Sequence, residues 1–316
     1  MHDFLTDEEY QNIADLFDLG KIQKIVRFTR GFQTPRVHVT TASGDFIISS
    51  YALSDDGSII SKSRASLQYE IDLLHTLTLL PVPHYIASKP GNFIEDFQRK
   101  PVTVYGFLPG EHPKEITLTM ARELGKFLGE FHTLGQNFTQ ECNGRRKFYH
   151  LDAEVVKKMG ETIGRLTNPK LVNVVNEVRA GVEKFSPPVG FPEGPIHVDI
   201  NSGNELFVGE KLTGIIDFGN FYVGPYMIDI GKTIMWNCVK DGRIDPKLTD
   251  ELIKGYERHR QLTSEEKIYL RPSILYAIYS HIWVDLYHVP LGYVPESYTL
   301  YLVETFLPIA RLFQNS

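Results

Sequence analysis

His197-Val198-Asp199-Ile200-Asn201-Ser202-Gly203-Asn204, followed by Ile215-Ile216-Asp217-Phe218-Gly219, is the stretch on which the fold turns. Its polar residues sit where short apolar segments stop: Ile196–Val198 on one side, Glu205–Val208 and Leu212–Ile216 on the other. That pattern reads as loops held by a small sheet, a common position for chemistry. The two later segments read as the arms of a hairpin, which brings its ends together. Asp199, Asn204 and Asp217 are therefore expected to converge. Two carboxylates and an amide oxygen suit phosphoryl transfer to a hydroxyl. One carboxylate takes the hydroxyl proton, while the other, with the amide oxygen, holds Mg2+ against ATP phosphates. With an acid two residues on to act as base, His197 reads as a loop-bracing histidine.

Upstream, Thr6-Asp7-Glu8-Glu9 has the form of a capping box, and its helix is expected to end near Gly20. Val37, Val39 and Thr41 alternate, and Phe46-Ile47-Ile48 follows a Ser43-Gly44-Asp45 turn, which reads as a hairpin. Leu67, Ile71, Leu74, Leu77 and Leu80 recur at helical spacing, and Pro81-Val82-Pro83 stops them. Extended segments are expected around His84–Ser88 and Pro101–Phe107. After Leu108-Pro109-Gly110 the texture becomes mainly helical, with helices around Leu124–Phe131, within residues 151–185, and from Tyr226 onward. Lys232 falls inside that last helical pattern and reads as a solvated lysine. The expected division is residues 1–108, a nucleotide-binding lobe, and residues 109–316, a catalytic and substrate-binding lobe.

Composition narrows the field. The chain has 316 residues, 42% hydrophobic and 23% charged, with a formal net charge of -6. That is an ordinary globular composition with none of the basic excess of a nucleic-acid or anionic-membrane binder. Two cysteines, Cys142 and Cys238, support neither a disulfide framework nor a four-cysteine zinc site. No apolar run reaches the roughly 18 residues of a membrane span. No secretory signal is visible, so the expected location is the cytoplasm. A two-metal hydrolase built on His197-Val198-Asp199 would need further His/Asp clusters at ligand spacing, which the sequence lacks.

The pattern H-x-D-x-x-x-x-N, followed one hairpin later by I-I-D-F, resembles the aminoglycoside phosphotransferase, choline kinase and homoserine kinase superfamily. That superfamily's motif is H-G-D-x-x-x-x-N and then I-D-[FW]. Asp18-Leu19-Gly20, Gly31, Leu80-Pro81-Val82-Pro83, Phe107-Leu108-Pro109-Gly110-Glu111 and Leu128-Gly129-Glu130-Phe131-His132 fall in the family's order. Asp217-Phe218 with Asn220-Phe221, then Tyr226-Met227-Ile228-Asp229-Ile230, is similar to the homoserine-kinase-type branch. The resemblance implies an α+β, bilobal protein-kinase-like fold with a small β-rich N-lobe and a larger, mainly helical C-lobe. It implies an ATP-dependent, Mg2+-dependent kinase that phosphorylates a small alcohol. Asp199 would be the catalytic base and Asn204 and Asp217 the Mg2+ ligands, with His197 and Asp229 bracing the loop. Gly31, Ser49 and Glu70 would line the ATP phosphates, and Val104, Tyr105 and Phe107 would present backbone groups to adenine.

Three positions depart from the family pattern. Val198 replaces a small residue, Ser49 stands where a phosphate-binding Lys is often found, and Pro35 removes a backbone N–H from the loop after Gly31. Lys62 or Arg64 would be the substitute cation. A pseudokinase-like nucleotide-binding protein is the alternative these departures raise. In the acceptor region, Trp236, His281 and Asp285 are the candidate contacts. An acid and aromatics there suit an amino alcohol or aminoglycoside as well as homoserine.

Overall fold

The computed structural model describes residues 4–28, 35–51, 63–140, 142 and 146–315; Gly31 and Lys62 lie outside the described residues. The chain divides into two compact units, Met1–Pro109 and Gly110–Ser316.

The first unit contains helices α1 (Asp7–Leu16) and α2 (Arg64–Thr76) and strands β1 (Ile22–Phe28), β2 (Arg36–Thr41), β3 (Gly44–Ser50), β4 (Glu95–Phe97) and β5 (Lys100–Gly106). The strands form one antiparallel sheet in the order β1-β2-β3-β5-β4. The capping box is present: the Glu9 amide donates to the Thr6 hydroxyl, and the Glu9 carboxylate accepts from the Thr6 amide at 2.6 Å. The helix stops at Leu16, short of Gly20, because Asp18 and Gly20 adopt positive φ, 58° and 79°, and turn the chain into β1. The stretch around His84–Ser88 forms a single bridge, Tyr85 to Tyr105, and no strand. Pro81 and Pro83 lack the N–H groups that would prolong the pairing.

Alternation along the strands separates two faces. Val37, Val39, Ile48, Val102 and Val104 pack with Tyr10, Ile13 and Phe17 in the apolar core of this unit. The opposite face carries Arg36, His38, Ile47, Ser49, Thr103 and Tyr105, because residues directly paired across strands share a face.

The second unit is mainly helical: α3 (Leu118–Gly135), α4 (Ala153–Ile163), α5 (Pro169–Val172), α6 (Val175–Phe185), α7 (Tyr226–Asn237), α8 (Pro246–Tyr256), α9 (Ser264–His288) and α10 (Glu296–Asn315). Strands β6 (Glu193–Ile196) and β9 (Tyr222–Pro225) pair antiparallel, as do β7 (Glu205–Val208) and β8 (Lys211–Ile215), and β10 (Val239–Lys240) pairs with β11 (Arg243–Ile244). Helix α9 is the centre of the unit, packed by α6, α7 and α10. Helices α3 and α8 approach until their backbones touch. A Cβ on Gly125 would fall on the Leu252 carbonyl, one on Gly129 on the Tyr256 carbonyl, and one on Gly255 on the Arg122 carbonyl. Among the described residues, no helix is long and apolar enough to cross a membrane.

Candidate active site

The β6–β9 pair and the β7–β8 hairpin bracket one loop, residues 197–204. The hairpin's ladder runs one step past its strands, the Ile216 amide donating to the Asn204 carbonyl at 2.9 Å. Asp217 therefore follows directly on the residue that pairs with Asn204. The Asn204 amide nitrogen donates to the Asp199 carbonyl oxygen at 2.9 Å and to its carboxylate at 3.2 Å. The Asn201 amide nitrogen donates to the other carboxylate oxygen at 2.8 Å. Asp199, Asn204 and Asp217 thus come together, and two amides orient the Asp199 carboxylate. Burial raises the Asp199 carboxyl to about 6; His197 and Lys232 oppose that rise and Asp217 adds to it. Asp217 itself is exposed and sits in left-handed backbone, φ 66° and ψ 60°.

Val198 occupies the same unfavourable region at φ 64°. For a β-branched residue this costs about 1–2 kcal/mol, which surrounding contacts must offset. The offset comes from Asp229, fully buried on α7. One of its carboxylate oxygens accepts the His197 amide at 2.8 Å and the other the Val198 amide at 2.7 Å. Burial pushes the Asp229 carboxyl up, but the hydrogen bond from His132 and the other contacts more than offset it, so it lies below its ordinary value. His132 Nε2 donates to Asp229 at 3.1 Å, and its Nδ1 accepts from the Tyr256 hydroxyl at 2.9 Å. Tyr256 in turn accepts from Arg260 at 3.0 Å, and Arg260 pairs with buried Glu266 at 2.8 Å. Burial holds His132 below its usual range, in keeping with a neutral ring. His197 completes the frame. Its Nε2 donates to the Ile216 carbonyl at 3.1 Å, and its Nδ1 accepts the Asp199 amide at 3.2 Å. Both ring nitrogens are committed to holding the loop.

Lys232 corrects the sequence reading. It is fully buried, because α7 is covered on all sides and has no solvated face. Its ammonium lies 2.5 Å from His281 Nδ1 and 3.4 Å from the centre of the Tyr149 ring. Burial pulls the lysine down, while Asp199, Asp285 and Asp229 pull it back up. His281 and Asp285, one turn apart on α9, are also buried, with His281 Nε2 3.9 Å from Asp285 Oδ2. That Oδ2 is buried without a hydrogen-bond partner, as is the indole nitrogen of half-buried Trp236, whose ring meets His281 edge-on at 5.2 Å. Burial raises the Asp285 carboxyl to about 7, with Lys232 opposing and Asp199 adding.

In the first unit, Ser49 is fully buried and its hydroxyl has no hydrogen-bond partner. Glu70 is buried on α2 and accepts the Tyr85 hydroxyl at 3.2 Å. Of the backbone groups expected to face adenine, the Val104 carbonyl accepts from Ile86 and the Phe107 amide donates to Asp45, and the Gly106 amide between them donates to His84. These groups are engaged within the unit. Arg64 is engaged as well, with Asp96 at 2.9 Å and the Ile94 carbonyl at 3.1 Å. Sequence reasoning missed Lys232 and Tyr256, which act through neighbours 49 and 124 residues away, and with them Arg260 and Glu266, which support Tyr256. His132 was visible only as the end of a helix.

Among the described residues, no group of three or more His, Cys, Asp or Glu side chains is arranged to hold a metal ion. The donor set present is one exposed carboxylate and one amide oxygen, which fits a hard cation completed by water and phosphate oxygens and not a transition metal. A family model described as "Phosphotransferase enzyme family" matches residues 24–266. A homoserine kinase from Pseudomonas aeruginosa (strain LESB58) is 25% identical over 275 residues, covering 85% of this chain and 82% of its own. Among solved structures, an amicoumacin kinase in complex with AMP-PNP and Ca2+ superposes with a TM-score of 0.71 at 14% identity, covering 98% of this chain and 94% of that one. A microcompartment-associated aminopropanol kinase superposes at 0.67 with 15% identity, covering 96% of each chain.

Proposed function

Because the chain belongs to the phosphotransferase enzyme family, we propose that it is an ATP-dependent kinase of a small alcohol that also bears an amino group. The observation that carries this reading is the convergence of Asp199, Asn204 and Asp217 on one braced loop. Asp199 takes the proton of the acceptor hydroxyl. Its carboxyl, raised toward neutrality, suits a general base working near pH 7. Asn201 and Asn204 hold the carboxylate in one orientation, so the hydroxyl meets a fixed acceptor. With its nitrogen turned to Asp199, Asn204 keeps its amide oxygen as the acceptor end, and Asn204 and Asp217 would hold Mg2+. Mg2+·ATP supplies the γ-phosphoryl group and the neutralising charge.

The acceptor's amine is assigned to Asp285, whose buried Oδ2 lacks a donor. The Lys232 ammonium would take a carboxylate if the acceptor has one. Homoserine meets both conditions and is favoured by the sequence relatives; small amino alcohols meet the first. Mg2+-dependent ADP release is to be measured with homoserine, 1-amino-2-propanol, choline and an aminoglycoside. Turnover is expected with a primary amine and should be poor with choline, whose nitrogen has no proton to donate. Asp199→Asn should abolish turnover and leave ATP binding intact. Near-normal turnover by that variant would remove Asp199 as the base. Ser49 in the usual lysine position favours a second reading, a pseudokinase-like binder, which nucleotide binding without turnover on any acceptor would support.

A further inference from the structure

The sheet of the first unit presents one polar face, and its rows can be read from the strand register. One row is Phe28–Arg36–Ser49–Thr103 and the next is Val26–His38–Ile47–Tyr105. Buried Glu70 belongs to the same face: it accepts from Tyr85, which packs edge-on against Tyr105 at 5.4 Å. The Tyr51 hydroxyl meets Thr103 at 3.3 Å there too. In the second row His38 is paired with Asp45 at 2.7 Å and stacked on Phe107 at 4.1 Å, so its ring is already held. Val26 and Phe28 are large apolar side chains left 38% and 40% exposed on this face. The row containing Ser49 has a buried hydroxyl with no partner and, directly across the ladder, an arginine.

We propose that Arg36 binds the nucleotide's phosphates, supplying from β2 the positive charge that Ser49 does not supply from β3. Arg36 and Ser49 are directly paired, so their side chains leave the sheet on the same side, roughly 5 Å apart at the backbone. A long guanidinium side chain based one strand over reaches the space that a lysine at Ser49 would serve. Its planar fork suits phosphate oxygens.

The inference rests on nucleotide binding and does not require that phosphoryl transfer occurs, so the two are tested apart. ATP and adenosine are titrated into the full chain with Mg2+ by calorimetry. Arg36→Ala should weaken ATP by about 10- to 100-fold, the loss of one charge-assisted contact, and leave adenosine within about twofold. Arg36→Lys should fall between. Ser49→Lys in the Arg36→Ala background should recover ATP affinity, because it returns a cation to the same row. Unchanged ATP affinity in Arg36→Ala, with turnover intact, overturns the assignment while the kinase reading stands. Equal loss of ATP and adenosine also overturns it, since that marks a structural role. Selective loss of ATP in a protein that turns over no acceptor upholds Arg36 and sinks the kinase reading alone.

Discussion

Replacing Asp229 with Asn tests the brace on which the geometry of Asp199 depends. The carboxylate accepts three hydrogen bonds in full burial, from the His197 amide at 2.8 Å, the Val198 amide at 2.7 Å and His132 Nε2 at 3.1 Å. A carboxamide has one acceptor oxygen, so its NH2 group must face at least one of these N–H groups. A buried N–H left unpaired costs about 1–3 kcal/mol, and the remaining bonds lose their charge assistance. The left-handed Val198 holds about 1–2 kcal/mol of strain that the brace no longer opposes. The expected destabilisation is about 2–5 kcal/mol, from the unpaired N–H and the unopposed strain together. Trp236 and Trp283 are the chain's two tryptophans and both lie in the second unit, so urea unfolding followed by their fluorescence reports that unit. The urea midpoint should fall with the slope unchanged. Turnover should drop about 100-fold, as a displaced base would produce. Asp229 lies below its ordinary value in the fold. It therefore stabilises above its unfolded value near 3.8, and its contribution is lost as pH falls further. The gap between wild type and variant should accordingly narrow in acid. A stability change under about 0.5 kcal/mol, with turnover within about twofold of wild type, would refute the brace.

Three further outcomes follow from the same geometry. In kcat/KM for ATP, which reports the free enzyme, activity should fall on an acid limb near pH 6 as Asp199 becomes protonated; a limb near 4 would show that the base is not held in this environment. Glu205 is fully buried, and burial raises it to about 8 against the opposing pull of Asn237, so ionising it should erode stability progressively between about pH 4.5 and 8. Glu205→Gln should therefore match wild type near pH 5 and exceed it near pH 8, by at most about 4–5 kcal/mol; parallel pH–stability curves would count against this. Asp217→Ala should lose Mg2+-dependent ATP affinity while Asp199→Asn keeps it, and equal affinities in the two would remove Asp217 from the metal site.

Local signals made the centre of the site readable. His197–Asn204 and Ile215–Gly219 lie close in sequence, and the hairpin between them is written in alternation and turn residues. The capping box at Thr6 and the strand pairing of Val37–Thr41 with Phe46–Ile48 were legible for the same reason. What stayed hidden depends on contacts across long stretches of chain. Lys232 looked solvated because one lysine in a helical pattern normally marks the wet face, whereas α7 is enclosed by β6, α8 and α9. The link from His132 to Asp229 spans 97 residues, and that from His132 to Tyr256 spans 124, so no spacing rule could join them. Arg36 carried no signal until the strand register placed it opposite Ser49.

The contact between α3 and α8 also sets a tolerance. Side chains between helices can repack by a few tenths of an ångström, but glycine backbones in contact cannot be squeezed or shimmed. The separation of His132 from Tyr256 is thus gauged by main-chain atoms at Gly125, Gly129 and Gly255, as a machined stop gauges a moving part. An added methyl group at any of these three glycines would press on the main chain that sets His132 against Tyr256, and through Asp229 on the loop of Asp199, the proposed base, although none of them touches it.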